Sequence, residues 1–463
     1  MMQSVSLQSR HASMQEGIIS WLELCPNFAI PIDHEMEMLH GDPQTPTHSP
    51  KKRKGAHEQA VDPNQTPTQA LVNYRLTDSA SDASSLTSGG SRASSPSKTK
   101  ESLANAPQDA IRFHTISDIP QTHPQAARIV REMRNIGKGR SFLPARVRRL
   151  VEPFLDPDDA AFVFHENRGA DSLPGNIPPP EVLQSLVHRA ARLEALNAIE
   201  ASWNEEIHHR LMQLVLRPYP NEELVLPGDN KMEMRHRPPG EIHDPLVDVL
   251  NATSADTYYP YRPSHALPKK VDYIIFINPE SDPGRESVRT RLLEFARLTH
   301  TGTVNPTTYP SLTQLPIAVP IETKKPGAGS AKADVQAGVW HASQWKFLNT
   351  HLCRSSPSLR DGEAFSSTDA HSAQLEDSPN PLSSLFIPGL IVEGHDWRFI
   401  FSTWDSTDGT TTVWGNVLIG TTRTIVEAYQ VVAALQVLID WAQNTYWPFF
   451  QKEILIMGRE RCV

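Results

Sequence analysis

At 463 residues, with a net charge of −9 and three scattered cysteines (Cys25, Cys353, Cys462), the chain is long enough for two or three domains but holds neither a disulfide framework nor zinc-ligand spacing. The acidic balance excludes a whole-surface affinity for nucleic acid, so any such contact needs a local basic stripe. Thirty-nine prolines, a hydrophobic share of 38% and a mean hydropathy of −0.41 fit a globular unit diluted with polar unfolded sequence, and the odd number of thiols points to a reducing, intracellular compartment.

No basic segment followed by an apolar core opens the chain, so secretion is not expected. Residues 17–25 (GIISWLELC) make a short amphipathic patch stopped by Pro26; docking on the main domain is its expected role, a partner-binding motif the alternative. Residues 1–107 otherwise read as a disordered tail, since from residue 41 apolar residues nearly vanish and nine serines fall between Ser79 and Ser97. Inside it Lys51, Lys52, Arg53 and Lys54 follow Pro50, the pattern of a monopartite import signal, which predicts an import receptor as partner and a nuclear location. A solvated charge run or a phosphate-binding arm is the alternative.

Order is expected over 108–463. Residues 126–134 and 144–154 are short helical patterns with Arg-rich faces. Residues 180–217 form the longest helical pattern, with Leu193, Leu196, Ile199, Trp203, Ile207, Leu211 and Leu214 at three- and four-residue steps between Pro180 and Pro218. Strands are predicted at 246–252, 271–277 and 317–324, with a helix at 285–298 between the last two. A loop at 326–330 leads to a helix at 333–352, and the polar stretch 354–384 reads as a mobile insertion. Strands at 385–392, 397–404 and 411–419 follow, then a helix at 425–444. That last segment is interrupted by Glu427, Gln430 and Gln436, so no membrane partner is expected. The fold class is α/β.

Chemistry concentrates at two strand ends. Glu322 and Lys324 lie at i and i+2 and share one face of the strand PIAVPIETK, and Asp272 sits at the start of the preceding strand. Two carboxylates and an ammonium on one sheet edge are a minimal set for holding a hard divalent cation against a phosphodiester. Other motifs fail. GAGSAK (327–332) lacks the G-K-[ST] ending of a phosphate loop, and His208 and His209, adjacent on a helix, diverge by about 100°.

Val271-Asp272-Tyr273, Val304-Asn305, PIAVPIETKK (316–325), QAGVW (336–340) and EASWNEEIH (200–208), in this order, resemble the PD-(D/E)XK nuclease superfamily over roughly residues 110–455. The resemblance implies a restriction-endonuclease-like fold: a central mixed sheet flanked by helices, with an α-β-β-β-α-β core and extra C-terminal strands and a helix. It implies that Asp272, Glu322 and the Thr323 carbonyl ligate Mg²⁺ or Mn²⁺, and that Lys324 sits beside the attacking water. Glu200 resembles the supporting helix glutamate, with Glu206 as the alternative, and Gln336 resembles the first residue of a Q-x-x-x-Y motif, here ending in Trp340. Val271 stands where the family has its name-giving proline. The expected function is Mg²⁺-dependent hydrolysis of DNA, with Lys269, Lys270, Lys325 and the 285–297 arginines on the backbone. The alternatives are a catalytically inactive nucleic-acid or protein-binding module, and an exonuclease. Oligomeric state is not legible.

Overall fold

The computed structural model describes residues 95–116, 123–165, 173–217, 223–225, 233–235, 244–352 and 380–455. The apolar patch at 17–25, the basic cluster at 51–54, the polar tail to residue 94 and most of the expected insertion, 353–379, lie outside the described residues.

The tail expected to reach residue 107 gives way to a helix at Ser95. The Ser95 hydroxyl accepts the Lys98 N–H at 3.4 Å and Pro96 takes the first position of α1 (Pro96–Ala104), whose Leu103 is buried. The strand β1 (Ile111–Thr115) and helix α2 (Pro124–Gly137) follow. Then come β2 (Leu143–Pro144), α3 (Pro157–Val163) and β3 (Phe164–His165). The 180–217 pattern is not one helix. It splits into α4 (Pro180–Ala195), α5 (Glu200–Trp203) and α6 (His209–Leu216), with a π-helical turn, Asn204–His208, joining the last two. Asn197, at φ 48°, ends α4 in the left-handed region that Asn tolerates, and turns Leu196 and Ile199 out to solvent.

After the short pair β4 (Glu223–Val225) and β5 (Glu233–Arg235) come β6 (Val247–Asn251), β7 (Tyr273–Ile277) and α7 (Arg285–Leu298). The central elements are β8 (Ile317–Lys324) and the 22-residue α8 (Ser330–His351). The chain re-enters at Asn380, which caps the turn Pro381–Ser384 over a buried Leu382, inside what was expected to be mobile insertion. It closes with β9 (Ile387–Glu393), β10 (Asp396–Trp404), β11 (Thr411–Thr421) and α9 (Ile425–Trp441).

Seven strands form one mixed sheet in the order β1-β11-β10-β9-β8-β7-β6, parallel at β1–β11 and β8–β9 and antiparallel elsewhere. Alternate side chains feed two layers. Leu390, Val392, Phe399 and Phe401 join the large cluster with α2, α4, α6 and α9, while Ile391 and Ile400 pack on the Ala333–Ala342 stretch of α8. At Gly389 a Cβ would come within 2.6 Å of His341 Nε2, so only glycine lets α8 lie this close to β9. The helical run Ile425–Ile454 is long and apolar enough to cross a membrane by length and composition alone, and 78% of its most apolar window is buried inside the protein.

Candidate functional site

The site forms where β7 begins and β8 ends. These strands run antiparallel, with Tyr273 opposite Ile321, and one step further out stand Asp272 and Glu322. Opposed residues of an antiparallel pair place their Cβ atoms roughly 5 Å apart. Glu322 pairs with Ile391 of β9 in parallel register, so it and Lys324 face the α8 side of the sheet.

All of β8 is buried, and Glu322, Thr323 and Lys324 are 2%, 0% and 6% exposed. Such burial of charge demands partners. The Lys324 ammonium donates to Glu322 Oε1 and, at 2.7 Å, to the Thr323 carbonyl, and lies 4.0 Å from Glu200 Oε1. Asp272 Oδ2 accepts the Thr323 N–H at 2.8 Å and the Thr323 hydroxyl at 2.9 Å. Its backbone is fixed as well, since its N–H donates to the Ile321 carbonyl and its own carbonyl accepts the Ala252 N–H.

One ammonium therefore serves three carboxylates. Burial pushes the Glu322 carboxyl well above its ordinary range, and Asp272 and Glu200 push it further against the pull of Lys324. Glu200 is raised for the same reasons, burial first and Asp272 next, opposed by Lys324 and Lys325. Burial alone would lower Lys324, but Glu322, Asp272 and Glu200 together raise it, so it stays charged at neutral pH. Burial is the first cause for both carboxyls, and the crowding of three carboxylates near Lys324 adds to it.

The side chains present fit a hard divalent cation in donor type and charge. Among the described residues, Asp272 Oδ1 and Glu322 Oε2 make no hydrogen bond, and both are the oxygen donors that Mg²⁺ and Mn²⁺ prefer. Among the described residues no cluster of three or more His, Cys, Asp or Glu groups is spaced as a metal cage. The set is two carboxylates and a carbonyl, which leaves the remaining positions to water, as is usual for Mg²⁺.

Of the residues singled out in the sequence, Asp272, Glu322, Thr323, Lys324 and Glu200 come together. Glu206 does not: its carboxylate binds Arg189 at 3.0 Å at the surface. Gln336 is half-buried on α8 and makes no hydrogen bond to these groups, while Trp340 is fully buried against Val271, Ile274 and Ile317. Asn305 is structural, donating to the Leu312 and Leu315 carbonyls and accepting the Ile317 N–H to pin the start of β8. The arginines of α7 stand toward the other end of the sheet from Asp272. That helix leaves the far end of β7, and its Phe295 packs on Phe347 and His351 at the C-terminal end of α8. β7 itself, five residues and about 17 Å long, lies between Asp272 and the segment that leads to α7.

A buried clamp that sequence reasoning missed supports the site. Tyr273 donates to the Asn204 carbonyl at 2.9 Å, while His208 Nε2 lies 2.8 Å from the Gly394 carbonyl and its Nδ1 stands 2.9 Å from the Asn204 amide. Burial holds His208 down to about 4, so the ring is neutral; we assign Nε2–H to Gly394 and the Asn204 amide nitrogen to Nδ1. Gly394 in turn donates its N–H to the Lys324 carbonyl at 2.9 Å. The π-helical turn thus ties the Glu200 helix to the strands carrying Asp272 and Lys324.

The sequence model of the PD-(D/E)XK nuclease superfamily matches residues 149–447. No curated protein and no solved structure matches the chain.

Proposed function

The chain belongs to the PD-(D/E)XK nuclease superfamily, and from that premise we propose that it is a metal-dependent phosphodiesterase acting on DNA. The observation that carries this reading is the gathering of the buried Glu322 and the half-buried Asp272 and Glu200 around the Lys324 ammonium. Asp272, Glu322 and the Thr323 carbonyl would hold Mg²⁺ or Mn²⁺, whose chemistry is to acidify a bound water and polarise a phosphoryl oxygen. Lys324, held protonated by its neighbours, cannot take a proton at neutral pH; it stabilises negative charge that develops on the phosphate. Glu200, with its raised carboxyl, is the group suited to exchange a proton with the water.

One observation favours a second reading, a nuclease fold without catalysis. The Lys324 ammonium already satisfies Glu322 Oε1 and the Thr323 carbonyl, so the ion pair can stand without a metal. Nicking of supercoiled plasmid with Mg²⁺ or Mn²⁺, together with calorimetric titration of Mn²⁺, separates the two. Metal-dependent nicking lost in Asp272→Asn and Glu322→Gln is expected. A wild-type chain that takes up no Mn²⁺ at millimolar concentration and leaves the plasmid intact would sink the enzymatic reading.

A further inference from the structure

The Arg-rich segment preceding the matched region has no part in the site, yet it concentrates charge against the trend of the whole chain. Between His123 and Arg149 stand eight cations and one carboxylate, in a protein of net charge −9. On α2 the buried stripe is Ala126, Ile129, Val130, Met133 and Ile136. Arg128, Arg131, Arg134 and Lys138 are exposed on the opposite side, within about 120° of arc and over about 15 Å of helix axis and its C-cap. Among the described residues none of these four has an ion-pair partner. Lys138 and Arg140 both line a cavity of about 430 Å³ with Asp159 and Glu427; Arg140, beyond the helix and its C-cap, is left out of the stripe.

We propose that this stripe is a binding surface for the phosphate backbone of duplex DNA, separate from the carboxylate site and independent of metal. Four cations over about 15 Å of helix face a length of one DNA strand that carries about four phosphates, at about 3.4 Å each along the axis. The foot of the stripe also reaches the end of the sheet that carries Lys324. Gly137 lies against the Leu418 carbonyl, Leu418 pairs with Arg398, Arg398 binds Glu393, and Glu393 is in register with Lys324. β10 and β9 stand between the two, and α2 lies on the face of the sheet opposite to that of Glu322 and Lys324. The choice of DNA over another polyanion rests on the nuclease reading; the surface itself does not, since its binding is measured without turnover.

The test uses the full chain, a short labelled duplex and EDTA. Arg128→Ala/Arg131→Ala/Arg134→Ala/Lys138→Ala should bind at least about tenfold more weakly at low salt, with log K against log salt shallower by roughly 3. The same change made in a chain whose Lys51, Lys52, Arg53 and Lys54 are alanine should have the same effect. Because binding is measured in EDTA without turnover, its loss is kept apart from loss of the catalytic reading, which plasmid nicking with metal reports. Replacing the three arginines by lysine should leave the salt slope in place, and shows that the charge rather than the helix matters. An unchanged slope in the alanine variant overturns the proposal. So does loss of binding to phosphatidylserine vesicles with DNA binding intact.

Discussion

Lys324 and Glu322 are only two residues apart, yet each is tolerable in the interior only because of the other. Their side chains are 7% and 2% exposed, so either one left alone has little contact with solvent. Removing one member of a buried pair leaves an uncompensated charge, which typically costs about 3–5 kcal/mol, whereas replacing both with apolar groups of similar size is often near neutral. Lys324→Met should therefore destabilise the protein by about that amount in urea unfolding. Lys324→Met/Glu322→Leu should recover most of the loss. A single variant as stable as the wild type would show that the carboxylate already sits neutral and that Lys324 is not its counter-ion. Asp272 differs: both Thr323 donors satisfy one of its oxygens and leave the other open, so its removal bears on binding more than on folding.

At the scale of elements, the parts with strong local periodicity were legible and the parts fixed by distant partners were not. The strands bearing Asp272 and Glu322 were readable because apolar runs of strand length end in charge, and 285–298 was readable as a helix by its apolar spacing. The proximity of Glu200 to Lys324 followed only from the family pattern, since no local signal reports a contact across more than a hundred residues. The break at Asn197 was missed because Leu196 and Ile199 continue the helical spacing, although an Asn ahead of an exposed isoleucine is itself a stop signal. β1 was missed because it takes its register from β11, some three hundred residues later. The clamp at Asn204–His208 was unreadable because two histidines in sequence say nothing about which is buried. Contact between α2 and β11 also depends on one residue. A Cβ at Gly137 would fall 2.1 Å from the Leu418 carbonyl oxygen, a backbone atom that cannot rotate away. Gly137→Ala should cost about 1–3 kcal/mol in urea unfolding, the range for overpacking, by lifting the end of α2 from the sheet. No change in the midpoint would mean that α2 does not rest there.

Across the molecule, a charge-rich sheet end, where Asp272, Glu200, Glu322 and Lys324 meet, and two neutral buried histidines respond to acid in opposite senses. Burial holds His208 at about 4 and His341 at about 3, against 6.5 in an unfolded chain. His341 has no means of keeping a proton. Trp345 donates to Ser402 Oγ at 2.8 Å and Ser402 Oγ lies 2.7 Å from His341 Nδ1; we assign the Ser402 hydroxyl as donor there, so a second proton would have no acceptor at Nδ1, and among the described residues none at Nε2. Because the folded pKa is depressed, the unfolded state binds the extra proton below 6.5, so this histidine's contribution is complete above 6.5 and is lost as the pH falls toward 3. Glu322 and Glu200 act the other way. Their raised carboxyls take up protons first in the folded state, so acidification through that raised range relieves the crowding of negative charge. The net slope of stability against pH mixes both, and a difference measurement isolates the histidine. His341→Gln keeps a hydrogen-bonding group for Ser402 and cannot titrate. Stability from urea unfolding, measured from pH 6.5 down to about 4, should then fall less steeply than in the wild type, by about 1.4 kcal/mol per pH unit, the value of one proton. Parallel lines for the two proteins would mean that His341 reaches solvent and carries its charge there, and that α8 does not seal this face of the sheet.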